Sequence, residues 1–435
     1  VKKKRAGGLN KFLLIISFLF FFIFCSYSFG SQILDYETEE FLNEILNDIV
    51  EVNKINKKIR FKINNSDEIN AFVNHKNVIH INSGLIENCQ DYAALLSVLA
   101  HEVGHIDLNH VSIRKKKIQN IRKYNNLTFL SVIAGSAISQ NYGLLQSNVI
   151  SSAAASNQYI VFTKEQEMEA DLYSLNTLNF HNINSHSIIN LLEKIEKNLK
   201  EKGFSKDDQR ISTHPYFEDR KLLINNFNNN KNINYNFDYN QRFNFIRAKF
   251  IGYSNNNKII NDLGQPFKAY AESIKYSKSG DLKMSLESLN KIIKNNYKNK
   301  YLVETKADIL FSHGFTKEAI KFYKKNLEYK PLNFYAQIRI FENIEITTLS
   351  KDQVQEIFYK NIHLLNRFFN NKNILIKYLK LSNRLNKNEW SSFFNYFLEI
   401  ETRNNKEIND KINFFKKTKD KDLLKLIKKI EKKLS

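Results

Sequence analysis

The sequence predicts a mainly α-helical protein, an α+β domain followed by an α-helical tetratricopeptide-repeat solenoid. Three observations predict it. Alternating apolar segments over residues 69–82 precede a helical pattern that begins near Asp91. That pattern carries His101-Glu102-Val103-Gly104-His105, and a second, acidic helical pattern follows around Glu167 and Asp171. Beyond residue 265, residue types recur at an offset of 34, the length of a helix–turn–helix repeat.

The chain of 435 residues has room for two or three domains at roughly 100–200 residues each. It is 42% hydrophobic and 26% charged, which excludes disorder throughout and a many-spanning membrane protein. Its two cysteines, Cys25 and Cys89, exclude a disulfide scaffold and a Cys-ligated zinc module. Residues 1–30 open with Lys2-Lys3-Lys4-Arg5, continue with an apolar run over 12–25 and end in Ser26, Ser28 and Gly30. That order is a secretory signal peptide, with cleavage expected near Gly30. A single membrane anchor is the alternative, because 12–29 is almost long enough to span.

In the next region, 31–230, residues 57–65 and 69–82 read as short strands, with 69–74 and 77–82 a hairpin about His75-Lys76. From Asp91, an N-cap, the residues Ala94, Leu95, Val98, Leu99 and Ile106 recur at helical spacing. His101 and His105 are four apart, so both rings leave one helix face and can share a metal ion. Glu102 lies one residue along, in reach of a water at that metal. A catalytic site needs a third protein ligand. Glu167 and Asp171 are also four apart on a helical stretch. Glu167 can ligate the metal, and Asp171 can accept the second ring N–H of a ligand histidine. Taken alone, such an acidic run is more often a solvated helix face, and the upstream motif is what favours the functional reading. His75, His80, His110, His181, His186, His313 and His363 have no matched spacing and read as ordinary surface or core histidines. The apolar stretch 127–138 is too short for a membrane span and reads as a buried helix or a cover near the site.

His-Glu-x-x-His followed at a distance by Glu-x-x-x-Asp resembles the zinc peptidases of the HtpX and C-a-a-X prenyl protease type. Asn70-Ala71-Phe72 before the first helix resembles that family's substrate-facing edge strand. Ser212-Thr213-His214-Pro215, with Arg220 after it, resembles a loop of the BepA-like periplasmic members, which also carry helical repeats. The resemblance implies a zincin-type (gluzincin) metallopeptidase fold, with His101, His105 and Glu167 as zinc ligands and Glu102 as general base. It further implies that His214 can take the fourth zinc position and hold the enzyme inactive. Arg220 becomes a partner of substrate or of a site carboxylate.

Residues 231–264 are rich in Asn with interleaved Phe and Tyr, and read as an irregular connector. In 265–435, Gly280, Ser285, Leu289, Ile292 and Tyr297 align with Gly314, Ala319, Tyr323, Asn326 and Pro331. This is the spacing of a tetratricopeptide repeat, and two units are too few to stand alone, so helical pairs should continue to the end of the chain. The last 25 residues hold ten Lys against three acids, with Leu423, Ile427, Ile430 and Leu434 as an apolar stripe. They read as a capping helix, with contact to anionic membrane lipid as the alternative.

The formal charge of +21 is unevenly spread. Residues 1–30 carry five basic and no acidic groups, 31–230 carry 21 basic and 24 acidic, and 231–435 carry 40 basic and 21 acidic. An export leader and the lack of an RNA or DNA motif argue against nucleic acid as the reason for the charge. The leading expectation is a periplasmic zinc endopeptidase that degrades misfolded or misassembled envelope proteins, including those of the outer membrane. Its repeats would engage partners such as the outer-membrane assembly machinery. The alternative is a chaperone-like binding protein whose metal site His214 holds mostly inactive.

Overall fold

The computed structural model describes residues 32–74, 76–113, 162–203, 214, 217–227, 236–296, 299–400 and 405–434. The predicted leader over 1–30, the apolar stretch 127–138, and His75, Ser212, Thr213, Pro215 and Tyr297 lie outside the described residues. The chain divides into two units, one of residues up to 34 and 40–250, the other of 35–39 and 251–435. Among the described residues, no helix is long and apolar enough to cross a membrane.

The first unit is built on a three-stranded sheet of β1 (Arg60–Asn64), β2 (Ala71–Val73) and β3 (Val78–Asn82). β3 lies in the middle, parallel to β1 and antiparallel to β2, so β2 is an edge. The predicted hairpin is present, with strands shorter than the alternation suggested. Asn82 N donates to Asn70 O at 3.1 Å, Asn74 N donates to Val78 O at 3.0 Å, and Phe72 stands opposite His80. Residues 70, 72 and 74 therefore spend their backbone bonds on β3, and Ala71 and Val73 turn theirs away from it, to the side on which no strand pairs among the described residues.

Around the sheet pack α1 (Tyr36–Val52), α2 (Ser83–Asn88) and α3 (Tyr92–Asp107). Asp91 caps α3 as expected: Oδ1 accepts from Ala94 N at 2.9 Å, and Oδ2 accepts from Ser187 Oγ at 2.8 Å. At the other end, Lys57 Nζ donates to the carbonyls of Ile106 and Asp107, each at 2.8 Å, covering acceptors that the helix leaves unpaired. α4 (Lys164–Phe180) begins at a capping box in which Thr163 Oγ1 accepts from Gln166 N and Gln166 Oε1 accepts from Thr163 N.

α4 lies along α3 and comes close to it at Gly104. A Cβ added there would meet Tyr173 Cβ at 3.1 Å and Ala170 Cα at 3.4 Å. α5 (His186–Glu201), α6 (Phe217–Asn226) and α7 (Phe237–Tyr253) complete the unit. The stretch expected as an irregular connector is mostly ordered, because α7 and a 3₁₀ turn at Ile259–Asp262 fall within it. Phe243, Ile246 and Phe250 sit three and four residues apart and pack into the first unit's core. The Asn and Tyr residues around them mask that helical period.

The second unit is helical throughout its described residues. α8 (Phe267–Lys278) pairs with α9 (Leu282–Asn295), and α10 (Tyr301–Ser312) with α11 (Thr316–Tyr329). Gly280 and Gly314 join the members of each pair at φ of +90° and +84°, a backbone region that costs other residues strain. The aligned positions are buried in both pairs: Ser285, Leu289 and Ile292 in one, Ala319, Tyr323 and Asn326 in the other. Asn326 departs from a small residue for a visible reason. Its Oδ1 accepts from Asn333 Nδ2 at 2.7 Å, anchoring the residue that caps the next helix. That helix is α12 (Phe334–Glu342), followed by α13 (Lys351–Lys360), α14 (Ile362–Arg367), α15 (Lys372–Arg384), α16 (Asn388–Leu398), α17 (Asn405–Phe415) and α18 (Lys421–Leu434). The stripe of α18 is buried at Leu423, Ile427 and Ile430, as expected of a packed terminal helix.

Gly314→Ala should destabilise the second unit by about 1–2 kcal/mol through strain at its positive φ. Urea unfolding followed by circular dichroism measures this.

Candidate metal centre

One face of α3 and the first turns of α4 meet at a buried cluster of His101, His105, Glu167 and His214, whose ligand atoms all lie within 4.8 Å of one another. Helical spacing puts His101 and His105 on one face, and the close contact at Gly104 brings Glu167 to it. The two Nε2 atoms are 3.1 Å apart. Glu167 Oε2 lies 3.5 Å from His101 Nε2, and Oε1 lies 3.6 Å from His105 Nε2. His214 Nδ1 lies 3.3 Å from His101 Nε2 and 3.1 Å from Glu167 Oε1. Ligand atoms at about 2.0–2.1 Å from a tetrahedral metal ion lie roughly 3.4 Å from one another. Five of the six donor separations, 3.1–3.6 Å, have the spacing of such a shell, and the sixth lies within 4.8 Å.

The groups around the donors fix their orientation. His101 Nδ1–H donates to Asp171 Oδ1 at 2.8 Å, leaving Nε2 as the ligand atom. Arg220 clamps Asp171 through Nε and Nη2, both at 2.7 Å, and its Nη1 lies 3.4 Å from Glu167 Oε2. Arg220 is thus a partner of site carboxylates. His214 Nε2–H points to Glu102 Oε1 at 3.1 Å and to Ala71 O at 3.2 Å, so its Nδ1 faces the other donors. Glu102 is 1% exposed, and its Oε2 has no hydrogen-bond partner among the described residues. A buried, unpartnered carboxylate oxygen beside four converging donors fits a site built for a metal ion and a water or substrate. Asn70 stands at the start of the edge strand, bonded through its carbonyl to β3; the strand reaches the cluster through the next residue, Ala71.

The charges are tightly coupled. Burial opposes charge on His214, but Glu167 and Glu102 outweigh it and push its pKa up to about 10. Burial, then the neighbouring His101, holds His105 well below the usual imidazole value. Burial would raise Glu167, but His214, His101 and Arg220 hold it well below the carboxylate range. Asp171 is lowered likewise, against its burial, chiefly by Arg220 and His101. Glu167 and Asp171 thus face cationic neighbours in His214 and Arg220.

One participant escaped the sequence reading. His110, read as an ordinary histidine, is buried with its Nδ1 2.9 Å from His105 Nδ1. Five residues along a continuous helix it would face elsewhere, so spacing gave no signal for it.

Residues 37–225 match Peptidase family M48. The beta-barrel assembly-enhancing protease of Yersinia pestis is 25% identical over 183 residues, 42% of this chain and 37% of that protein. Its counterpart from Escherichia coli (strain K12) is 22% identical over 334 residues, 74% of this chain and 66% of that protein. Metalloprotease LoiP of Escherichia coli (strain K12) is 27% identical over 173 residues, 40% of this chain and 64% of LoiP. The chain thus spans less than two thirds of the length of each of these relatives. The matched residues 37–225 contain His101, His105, Glu167 and His214, and a divalent metal suits those donors.

Arg220→Ala should cost the metal-free protein about 3–5 kcal/mol at pH 7, because it strands Asp171 as a buried charge. The pair holds Asp171 ionised below its usual range, so its stabilisation is complete above the unfolded pKa of about 3.9 and fades as pH falls through the lowered folded value. The gap between wild type and variant should therefore narrow from pH 7 to pH 3 in chelator-treated samples followed by thermal unfolding.

Proposed function

We propose that this chain, through its M48-type metallopeptidase domain, is a zinc endopeptidase of the bacterial periplasm that removes misfolded or misassembled envelope proteins. The observation that carries this reading is the cluster of four converging donors beside Glu102, whose Oε2 has no partner among the described residues. His101, His105 and Glu167 would hold the metal. Zinc bound there supplies Lewis acidity, which brings water toward deprotonation near pH 7 and polarises the scissile carbonyl. Glu102 acts as general base: it takes the proton of the attacking water and returns it to the leaving amine. Asp171, held by Arg220, keeps His101 in the ligating tautomer. The edge strand at Ala71 and Val73, unpaired by another strand among the described residues, offers backbone groups to an extended substrate, which can add as a fourth strand once His214 leaves Ala71 O.

The leader-like sequence of residues 1–30 supports export. The resemblance to proteases named for β-barrel assembly supports substrates from the outer membrane and recruitment to its assembly machinery through the repeats, which read as tetratricopeptide units. The basic second half suits an acidic partner surface or anionic lipid.

A second reading has its own observation. His214 lies among the donors and also bonds Ala71 O, one of the acceptors that an added strand would use. A chain resting in this state would bind clients without cleaving them until His214 leaves.

In a cleavage assay on an unfolded outer-membrane protein, wild-type activity should be lost with chelator and regained with zinc. Glu102→Gln should keep its zinc and lose about 10²–10⁴ in rate. A variant that binds zinc and still cuts at the wild-type rate would remove Glu102 from the mechanism. His214→Ala should raise cleavage if that ring gates the site; equal or lower cleavage removes the gate.

A further inference from the structure

The first metal-facing histidine, His101, has a buried carboxylate behind it. The second, His105, has another histidine, and the protons of that contact can be assigned. With Nε2 of His105 turned to the cluster, its Nδ1 carries the hydrogen and donates to His110 Nδ1 at 2.9 Å. His110 then carries its own hydrogen on Nε2, which donates to Glu169 Oε2 at 2.9 Å. A single set of tautomers satisfies every nitrogen in the row, and reversing either bond would place a hydrogen on the nitrogen that must ligate.

The backbone is shaped for this contact. α3 ends at Asp107, and Asn109 takes φ of +60°, a left-handed conformation that Asn tolerates. The break turns the chain back, so that His110 comes beneath His105 instead of continuing around the helix. Lys57 secures the turn, donating to Ile106 O, Asp107 O and Asn109 Oδ1 at 2.8, 2.8 and 3.0 Å. His110 is 3% exposed, whereas the side chain of Glu169 is 59% exposed, so the row runs from the buried donors to the surface.

We propose that His110 and Glu169 are positioning residues that fix the tautomer and ring plane of His105 and so set the metal affinity of the site. This rests on the metal-centre reading above. Removing such an outer partner weakens metal binding by about 10–100-fold. The outer arm through Glu169 is a second support for the site, separate from the Asp171–Arg220 arm behind His101.

The test is zinc affinity of the full chain, by competition with a chromogenic chelator, together with the melting temperature of the metal-free protein and the visible spectrum of the cobalt(II)-loaded form. Glu169→Ala should weaken zinc about tenfold and shift the cobalt bands, with the metal-free melting temperature unchanged because Glu169 is largely exposed. Glu169→Gln, whose carboxamide oxygen can accept the same N–H, should recover most of the affinity. His110→Ala should weaken zinc at least as much as Glu169→Ala. If both Ala variants bind zinc like wild type while His101→Ala loses it, the outer arm is wrong and the metal centre stands. If His101→Ala also binds like wild type, the metal centre itself is wrong and the arm falls with it.

Discussion

The packing of α3 against α4 across Gly104 brings together the groups that those two helices supply to the centre. α3 alone offers two imidazoles on one face. Only the near approach of α4, with Ala170 and Tyr173 against the glycine, brings Glu167 to those rings and Asp171 behind one of them. A side chain at position 104 would press on Tyr173 at 3.1 Å and ask α4 to give by a few tenths of an ångström. The sheet and the capping of both helices serve that contact: Asp91 and Thr163 start the helices, and Lys57 ends the first.

The same contact gathers charge in the interior. Glu102, Glu167 and Asp171 are buried together, which folding would not tolerate without compensation. Arg220 and His214 provide it in the metal-free chain, and a divalent cation would replace the charge of His214. A buried site assembled at this cost is expected of one kept for binding and chemistry, because an apolar interior of the same volume would be at least as stable.

Much of the site was legible because it obeys helical spacing. His101 with His105 and Glu167 with Asp171 each recur at four residues, and the helix period says that they share a face. The offset of 34 marked the repeat glycines and the buried positions behind them. What was not legible depends on breaks in that spacing. His110 returns to His105 only because Asn109 enters the left-handed region. The grip of Arg220 on Asp171 spans 49 residues, so spacing gave no signal for it and only the family resemblance pointed Arg220 to a site carboxylate. α7 was hidden by composition: its apolar residues keep a helical period, but the Asn around them read as a linker.

Zinc-edge X-ray absorption of the metal-loaded chain tests the central proposal, that His101, His105 and Glu167 hold the metal and that His214 completes the shell while it rests among them. The account predicts four nitrogen or oxygen neighbours at about 2.0–2.1 Å, with the scattering signature of three imidazole rings falling to two in His214→Ala. A shell containing sulfur, or one that Glu167→Ala and His105→Ala leave unchanged, would contradict it.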